Sequence, residues 1–141
     1  MSKNTDYPVT PAVRFLRTHQ IDFEPYIYVY EEHGGTGQFA QLFGVDEHQV
    51  VKTIVLQNEA KKGLVVVIHG DKQISPRNLA RDLGMKHIEP ADPKQANKWT
   101  GYLVGGTTPF GMKTRLPVYV EKSIWDLEKV YINGGKRGFI I

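Results

Sequence analysis

The chain has 141 residues, of which 40% are hydrophobic and 23% charged, and this composition is that of a globular protein with one core. It has no cysteine, which excludes disulfides, cysteine–metal sites and an enzymatic thiolate, and its formal net charge of +3 permits a polyanionic partner without requiring one. The N-terminus is polar and the longest apolar run, 64–68, is too short to span a bilayer, so we expect one soluble cytoplasmic domain over 1–141 with no membrane contact, in which 1–9 is flexible.

Four helices are predicted. Three share a start signal, an N-cap residue followed by proline, at Thr10-Pro11, Ser75-Pro76 and Asp92-Pro93. Glycines that favour a helix C-terminus, Gly84 and Gly101, follow the second and third of these. A fourth, short helix is predicted to hold Phe39, Leu42 and Phe43 and to stop at Gly44.

Several strands lie between the helices. Runs rich in β-branched and aromatic residues predict strands at 23–30, 50–56, 64–68, 102–104, 118–120, 130–132 and 139–141. The last two are expected to form a hairpin whose turn is Asn133-Gly134-Gly135. Because strands outnumber helices and their order is mixed, the sequence predicts an α+β fold with a curved, barrel-like mixed sheet flanked by helices.

Lys52 is the most informative single residue, because it lies inside the apolar segment 50–56. Period-2 alternation places it on the face shared by Val50, Ile54 and Leu56. An unpaired buried ammonium is costly, so this lysine must reach solvent, find a partner or face a pocket. Extension of the amine to water and a role in a binding site both satisfy that requirement.

A glycine- and proline-rich loop spans 105–111. Two glycines at its start let a ligand approach the backbone closely, and Pro109 restricts Thr108 to an extended conformation. Such a loop can direct several amide N–H groups at a carbonyl oxygen or a phosphate. An ordinary turn between strands has the same composition, so this pattern alone leaves both interpretations open.

Other patterns are less specific. The segment 34–37 has three glycines at a predicted helix start, which suits either an anion cradle or a mobile flap. Tyr26, Tyr28 and Tyr30 alternate on one strand face, which is typical of packing but also presents phenols to a substrate. The five histidines show no metal-ligand spacing, so no metal is predicted.

Four cations lie in two loops. Lys113 and Arg115 follow the glycine loop, and Lys136 and Arg137 lie near the end of the chain. Such residues are usually only solvated. If the two loops are adjacent, however, their charges would suit the phosphates of an RNA end.

In this order and spacing, the motifs resemble the YbaK/EbsC family, which is related to the editing domain of bacterial prolyl-tRNA synthetase. The matching segments are 10–12, 51–55, 91–93, 100–111 and 131–138. The resemblance covers nearly the whole chain from Thr10. The chain departs from many family members at Asn133, where they have serine, and at Ile140, where they often have an acidic residue.

The resemblance implies an α+β fold with a curved mixed sheet around a pocket, and trans-editing deacylation of mischarged tRNA, chiefly Cys-tRNA(Pro). The family's essential lysine matches Lys52, and its substrate tyrosine matches Tyr28, or Tyr30 if a small gap is allowed. The family's glycine–proline loop matches Gly105, Gly106 and Pro109, and the expected substrate contacts also include Thr107, Thr108, Asn133 and Gly134. The expected partners are the 3′ end of aminoacyl-tRNA and prolyl-tRNA synthetase, with no cofactor; the sequence leaves the oligomeric state open.

An aminoacyl ester is already activated, so its cleavage needs positioning and oxyanion stabilisation more than a strong enzyme nucleophile. We expect a charged Lys52 to bind the tRNA end or the ester oxygens, and the loop amides to hold the aminoacyl carbonyl. For cysteine, the resemblance implies attack by the substrate's own thiol, and for alanine the attacking group would be water. The alternatives are a deacylase for Ala-tRNA(Pro) or another small amino acid, a non-catalytic binder of tRNA or a synthetase, and a small-molecule or nucleotide-binding module using 34–37.

Overall fold

The computed structural model describes residues 6–141. Its helices are α1 (Pro11–Thr18), α2 (Gly35–Phe43), α3 (Pro76–Leu83) and α4 (Pro93–Thr100), with short 3₁₀ helices at Glu47–Gln49 and Lys122–Asp126. Its strands are β1 (Tyr26–Ile27), β2 (Val51–Asn58), β3 (Gly63–His69), β4 (Ile88–Pro90), β5 (Val118–Val120), β6 (Asn133–Lys136) and β7 (Phe139–Ile140). The expected flexibility of 1–9 falls largely on 1–5, which lie outside the described residues, and it stays a prediction.

All four predicted helices are confirmed. α1, α3 and α4 begin at prolines, and the preceding Thr10, Ser75 and Asp92 each accept a hydrogen bond from a first-turn amide. α2 ends at Gly44, which adopts a left-handed conformation that favours glycine. Within 6–141, none of the helices combines the length and hydropathy needed to cross a membrane.

Two sheets make up the strand framework. One has the order β4-β2-β3-β5, in which β2 pairs antiparallel with β3 and β4, and β3 pairs parallel with β5. The other has the order β1-β7-β6 and is antiparallel. A parallel bridge between Val50 and Tyr131 joins them. The predicted mixed sheet flanked by helices is confirmed, and across the described residues the strands do not close into a barrel.

Several strand predictions were wrong. The segment 23–30 contributes only Tyr26–Ile27, and 102–104 is not a strand, because the chain turns there with the Gly106 amide donating to the Leu103 carbonyl. The segment 130–132 is not a named strand. Within it, Tyr131 is bridged to Val50, and Ile132 exchanges two backbone hydrogen bonds with Ile141. β4 was not predicted at all.

The predicted terminal turn is also misplaced. Asn133-Gly134-Gly135 lies inside β6, where the register is irregular, and the chain reverses at Arg137 and Gly138, whose φ is +77°. Packing explains this, because a β-carbon at Gly134 would lie 2.5 Å from the Phe139 ring. The glycine therefore serves close approach between paired strands, and another glycine makes the turn.

Each face of the central sheet is covered. On one face Val51 and Val67 pack with Val13 and Leu16 of α1, and on the other Leu56 packs with Ala80 of α3. A third cluster places α2 over the junction of the two sheets through Phe39, whose neighbours include Val50, Tyr131 and Ile140. α2 therefore covers the bridge that joins the sheets.

Phe39→Ala should lower the free energy of unfolding by about 3–5 kcal/mol, because the ring is fully buried and truncation leaves a cavity. Leu42→Ala is the matched control, since Leu42 lies on the same helix and is 58% exposed. Urea unfolding of both variants checks this. A loss for Phe39→Ala no larger than that of the control would show that α2 is not packed as described.

Candidate functional site

Strand register brings Lys52 and Asn133 to one face of the sheet. Val50 and Tyr131 are bridged in parallel, and each of the two site residues lies two positions beyond one of them. Residues two apart on extended chains point to the same face. The common face is the one that α2 covers, because both bridged residues pack against Phe39.

Tyr28 joins the same face. Asn133 is paired with Ile140, which is paired with Tyr26, so these cross-strand partners share a face. Tyr28 lies two residues beyond Tyr26, and its ring packs 5.8 Å from that of Phe39. Burial, and to a smaller degree the neighbouring Tyr30, raises the pKa of Tyr28, so its phenol stays protonated at neutral pH and can donate a hydrogen bond.

The Lys52 ammonium is half-buried and only weakly bonded. Its Nζ donates to the Gly70 carbonyl oxygen at 3.4 Å, and it has no carboxylate within ion-pair distance among residues 6–141. The same carbonyl also receives the Thr36 hydroxyl at 3.3 Å, and that hydroxyl lies 2.8 Å from Oε2 of Glu47. The ammonium therefore retains hydrogen-bonding capacity for a ligand.

The glycine loop is held against Tyr30 and the β6–β7 turn. Gly105 has a φ of +93°, and a β-carbon there would lie 2.5 Å from the Tyr30 hydroxyl oxygen. A β-carbon at Gly106 would lie 3.0 Å from the backbone nitrogen of Arg137. The Arg137 side chain clamps this arrangement, because its Nε donates to the Val104 carbonyl at 2.7 Å and its guanidinium lies 5.2 Å from the centre of the Tyr30 ring.

Two predicted substrate contacts have buried polar atoms without partners. Thr108 is fully buried, and within residues 6–141 neither its hydroxyl nor Oδ1 of Asn133 has a hydrogen-bond partner. Such groups are uncommon and destabilising unless a ligand or water satisfies them. Thr107 differs, since its hydroxyl donates to the Leu103 carbonyl at 3.2 Å inside the loop. Thr108 and Asn133 are thus better suited to a ligand than Thr107.

The predicted site residues form two groups that α2 connects. Lys52, Asn133 and Tyr28 share the sheet face, and the other group is Tyr30, Gly105, Gly106 and Arg137. The N-terminal turn of α2 reaches Gly70 through Thr36, and the next turn reaches the Val29 carbonyl, to which Gln38 donates at 2.8 Å. The glycine-rich segment 34–37 is therefore the docked start of a helix beside Lys52.

The predicted cations are all exposed, but they are not equivalent. Lys136 and Arg137 lie against the glycine loop through Gly106. Lys113 lies at the far end of that loop, where its amide donates to the Thr100 carbonyl at the end of α4, and Arg115 follows two residues later. The two cationic loops thus flank the glycine loop from opposite ends.

Sequence reasoning missed Gly70, and it singled out Thr36 only as part of the segment 34–37, without placing it beside Lys52. A β-carbon at Gly70 would overlap both the Thr36 hydroxyl and the Val50 carbonyl oxygen. A glycine at the end of an apolar strand is a recognised signal of close backbone approach, but it does not reveal which segment approaches.

Other features lie away from Lys52. Surface cavities of about 460 and 250 Å³ adjoin α3, and none of the predicted site residues lines them. Among the described residues, His48, His69 and Asp71 bring three ligand atoms within 4.8 Å of one another. Both ring nitrogens of His69 already have protein partners, and its ring is stacked on that of His48 at 3.7 Å, so this cluster suits hydrogen bonding better than metal coordination.

A family model described as an aminoacyl-tRNA editing domain matches residues 33–141. The chain belongs to this editing-domain family. The match includes Lys52, the whole glycine loop and the β6–β7 hairpin, and the resemblance drawn from the motifs is confirmed.

Individual relatives agree with this assignment. EbsC of Enterococcus faecalis, provisionally named a Cys-tRNA(Pro)/Cys-tRNA(Cys) deacylase, is 28% identical over 142 residues, covering 100% of this chain and 87% of EbsC. A proline–tRNA ligase of Brachyspira hyodysenteriae is 28% identical over 96 residues, which is 68% of this chain but only 17% of the ligase. A crystal structure described provisionally as a trans-editing enzyme for prolyl-tRNA synthetase has a TM-score of 0.80 at 22% identity, covering 94% of this chain and 86% of that one, and so shares the fold.

In this editing domain, Gly105→Ala should lower the free energy of unfolding by about 1–3 kcal/mol, because alanine is strained at positive φ and its methyl group meets Tyr30. In a Tyr30→Phe background the substitution should cost less, since the hydroxyl contact is gone, but some loss should remain from φ and from the ring carbons 3.0 Å away. A double-mutant cycle by guanidinium unfolding measures both terms. An equal cost in both backgrounds would mean that the loop is not seated on the Tyr30 hydroxyl.

Proposed function

We propose that this editing domain is a free-standing deacylase that removes a mischarged amino acid from tRNA, with cysteine on Cys-tRNA(Pro) as its best substrate. The observation that carries the proposal is the half-buried Lys52 ammonium, whose one hydrogen bond among the described residues is a long one to the Gly70 carbonyl. It shares a sheet face with the unpaired Asn133 amide oxygen. Such a site offers a charge and open hydrogen-bonding positions to a polar ligand, as expected of a binding centre.

Each group has a role suited to ester cleavage. Lys52 binds the ester oxygens or the terminal ribose and stabilises negative charge as it develops on the carbonyl oxygen. The amides of the glycine loop hold the aminoacyl carbonyl, and the Thr108 hydroxyl and Asn133 amide complete the polar contacts. Rigid seating of the loop on Tyr30 limits the size of the amino-acid side chain that can enter.

For cysteine, the reaction needs no enzyme nucleophile. The substrate sulfur attacks the carbonyl carbon, the bond from that carbon to the ribose oxygen breaks, and a thiolactone leaves while the thiol proton passes to the ribose oxygen. Holding sulfur and carbonyl carbon together supplies the proximity effect on which this route depends. For alanine, water attacks the same carbon and releases the free amino acid. The absence of cysteine from the chain fits both routes.

RNA binding is assigned to the two cationic loops. Lys136 and Arg137 at one end of the glycine loop, with Lys113 and Arg115 at the other, would contact phosphates of the tRNA 3′ end. Arg137 is less available to bind phosphates, because its guanidinium already donates to the Val104 carbonyl beside the glycine loop. A net charge of only +3 supports weak binding, so selection of the tRNA body is assigned to a partner such as prolyl-tRNA synthetase.

Lys52→Ala should lower kcat for deacylation by about 10²–10³-fold, the loss typical of removing one group that stabilises an oxyanion. The variant should remain folded, since the hydrogen bond that the amine makes to the Gly70 carbonyl is long and weak. Lys52→Met, which keeps the side-chain volume without the charge, should be as inactive. Lys62→Ala, which removes an exposed lysine beyond β2, serves as the control and should match wild type. Near wild-type turnover by folded Lys52→Ala would remove this residue from the mechanism.

A panel of charged tRNAs tests the substrate. Cys-tRNA(Pro) should be cleaved fastest, whereas S-methylcysteine on the same tRNA should resist cleavage because its sulfur carries no proton and is blocked. A size-matched aminoacyl ester without sulfur controls for bulk. One methylene or heteroatom changes pocket affinity by only about 1–3 kcal/mol, so slow cleavage of Ala-tRNA(Pro) is also expected. Faster cleavage of the alanyl ester would assign alanine and water attack, and no cleavage of any member would leave a non-catalytic binder.

A further inference from the structure

His69 forms a buried polar hub that the proposed chemistry does not use. It is the last residue of β3 and is 1% exposed. Its Nδ1 lies 2.7 Å from the His48 carbonyl oxygen, and its Nε2 lies 2.7 Å from the Ser123 hydroxyl and 3.1 Å from Oε2 of Glu121. The His69 ring thus links the end of β3 to His48 in one 3₁₀ helix and to Ser123 in the other. Both of its nitrogens have hydrogen-bond partners.

Asp71, the residue after Gly70, lies in the same region. The ring of His48 stacks on His69 with centroids 3.7 Å apart, and Nδ1 of His48 lies 3.0 Å from the Asp71 carboxylate. The Gly70 amide donates to the Val50 carbonyl at 2.7 Å. Both neighbours of Gly70 are therefore anchored to the 3₁₀ helix Glu47–Gln49, and its own amide is anchored beside β2.

This anchoring determines where the Gly70 carbonyl points. The Gly70 amide still donates in register to the Val50 carbonyl, but the Val50 amide donates to the Glu47 carbonyl and is not the donor to the Gly70 carbonyl oxygen. The Gly70 carbonyl oxygen is instead the acceptor for Lys52 and Thr36. We propose that His69 is a positioning residue for Lys52, acting through the Gly70 carbonyl, and this assignment rests on the proposed deacylase function for its catalytic readout.

The composition of the hub supports positioning over simple core filling. An apolar side chain would fill the same volume without requiring partners, whereas the two ring nitrogens of His69 have hydrogen-bond partners on two separate elements. Hydrogen bonds from the Ser123 hydroxyl and amide hold the pKa of Glu121 below its ordinary value, so the carboxylate remains an acceptor. Directional bonds of this kind specify orientation, which hydrophobic contact does not.

The test compares His69→Leu, which removes both ring bonds, with His69→Asn, whose amide can still donate to the His48 carbonyl. Ile124→Ala is the matched control, because Ile124 is a buried residue of the neighbouring 3₁₀ helix that packs in the α1 core. For each folded variant, the rate of acylation of the Lys52 amine is measured by competitive labelling and mass spectrometry. The kcat and KM for Cys-tRNA(Pro) are measured in parallel.

His69→Leu should change the Lys52 labelling rate at least about threefold and lower kcat by about ten- to a hundredfold, the loss expected when a catalytic group moves by up to an ångström. KM should change less than kcat, and His69→Asn should recover part of both effects. Ile124→Ala should lower the unfolding midpoint while leaving both readouts near wild type.

Equal effects of His69→Leu and Ile124→Ala on labelling and kcat would overturn the proposal and make His69 a core residue only. If His69→Leu does not fold, Ser123→Ala replaces it, since that variant keeps the ring and removes one bond; unchanged labelling and kcat there would likewise overturn the proposal. The labelling comparison needs no substrate. If wild-type protein deacylates no tRNA, the proposed function fails, while labelling still decides whether His69 positions Lys52.

Discussion

A charged amine on a strand otherwise built for burial is the constraint on which this editing domain depends. β2 is apolar on both faces, so the Lys52 side chain enters a region where an ammonium without polar partners is strongly disfavoured. The fold supplies the ammonium with a hydrogen-bond acceptor, a carbonyl oxygen at the end of the neighbouring strand. Because that acceptor is Gly70, Thr36 and α2 can approach it closely, and the start of the helix becomes part of the same arrangement.

The glycine loop meets a different requirement, which is a fixed backbone around the buried residues 106–108. Tyr102 is buried at the start of the loop, and its hydroxyl donates to the Phe110 carbonyl at 2.6 Å near the end. Burial raises the pKa of this phenol to about 12, so the donor is protonated at every physiological pH. Tyr30 and Arg137 support the start of the loop from outside. Backbone groups held in this way can bind a carbonyl oxygen without reorganising.

Local signals predicted the helices well and the short strands poorly. A cap residue, a proline and a terminal glycine act within a few residues, so the starts of α1, α3 and α4 follow from the sequence. The segments 23–30 and 102–104 have strand composition, but their neighbours are set by distant parts of the chain. The glycines of β6 have the composition of a turn, but in the structure they belong to a strand, in which Gly134 packs against Phe139.

From the sequence alone, the family, the α+β class, the helix starts and the candidate residues Lys52 and 105–109 could be determined, because each depends on local pattern or on motif order. Which residues surround Lys52 was decided only by tertiary structure. Gly70 and Thr36 are 34 positions apart, and His69 and Ser123 are 54 apart. No periodicity or spacing rule links positions so distant. Their contacts arise because the docking of α2 brings Thr36 to Gly70, and the pairing of β3 with β5 brings Ser123 to His69.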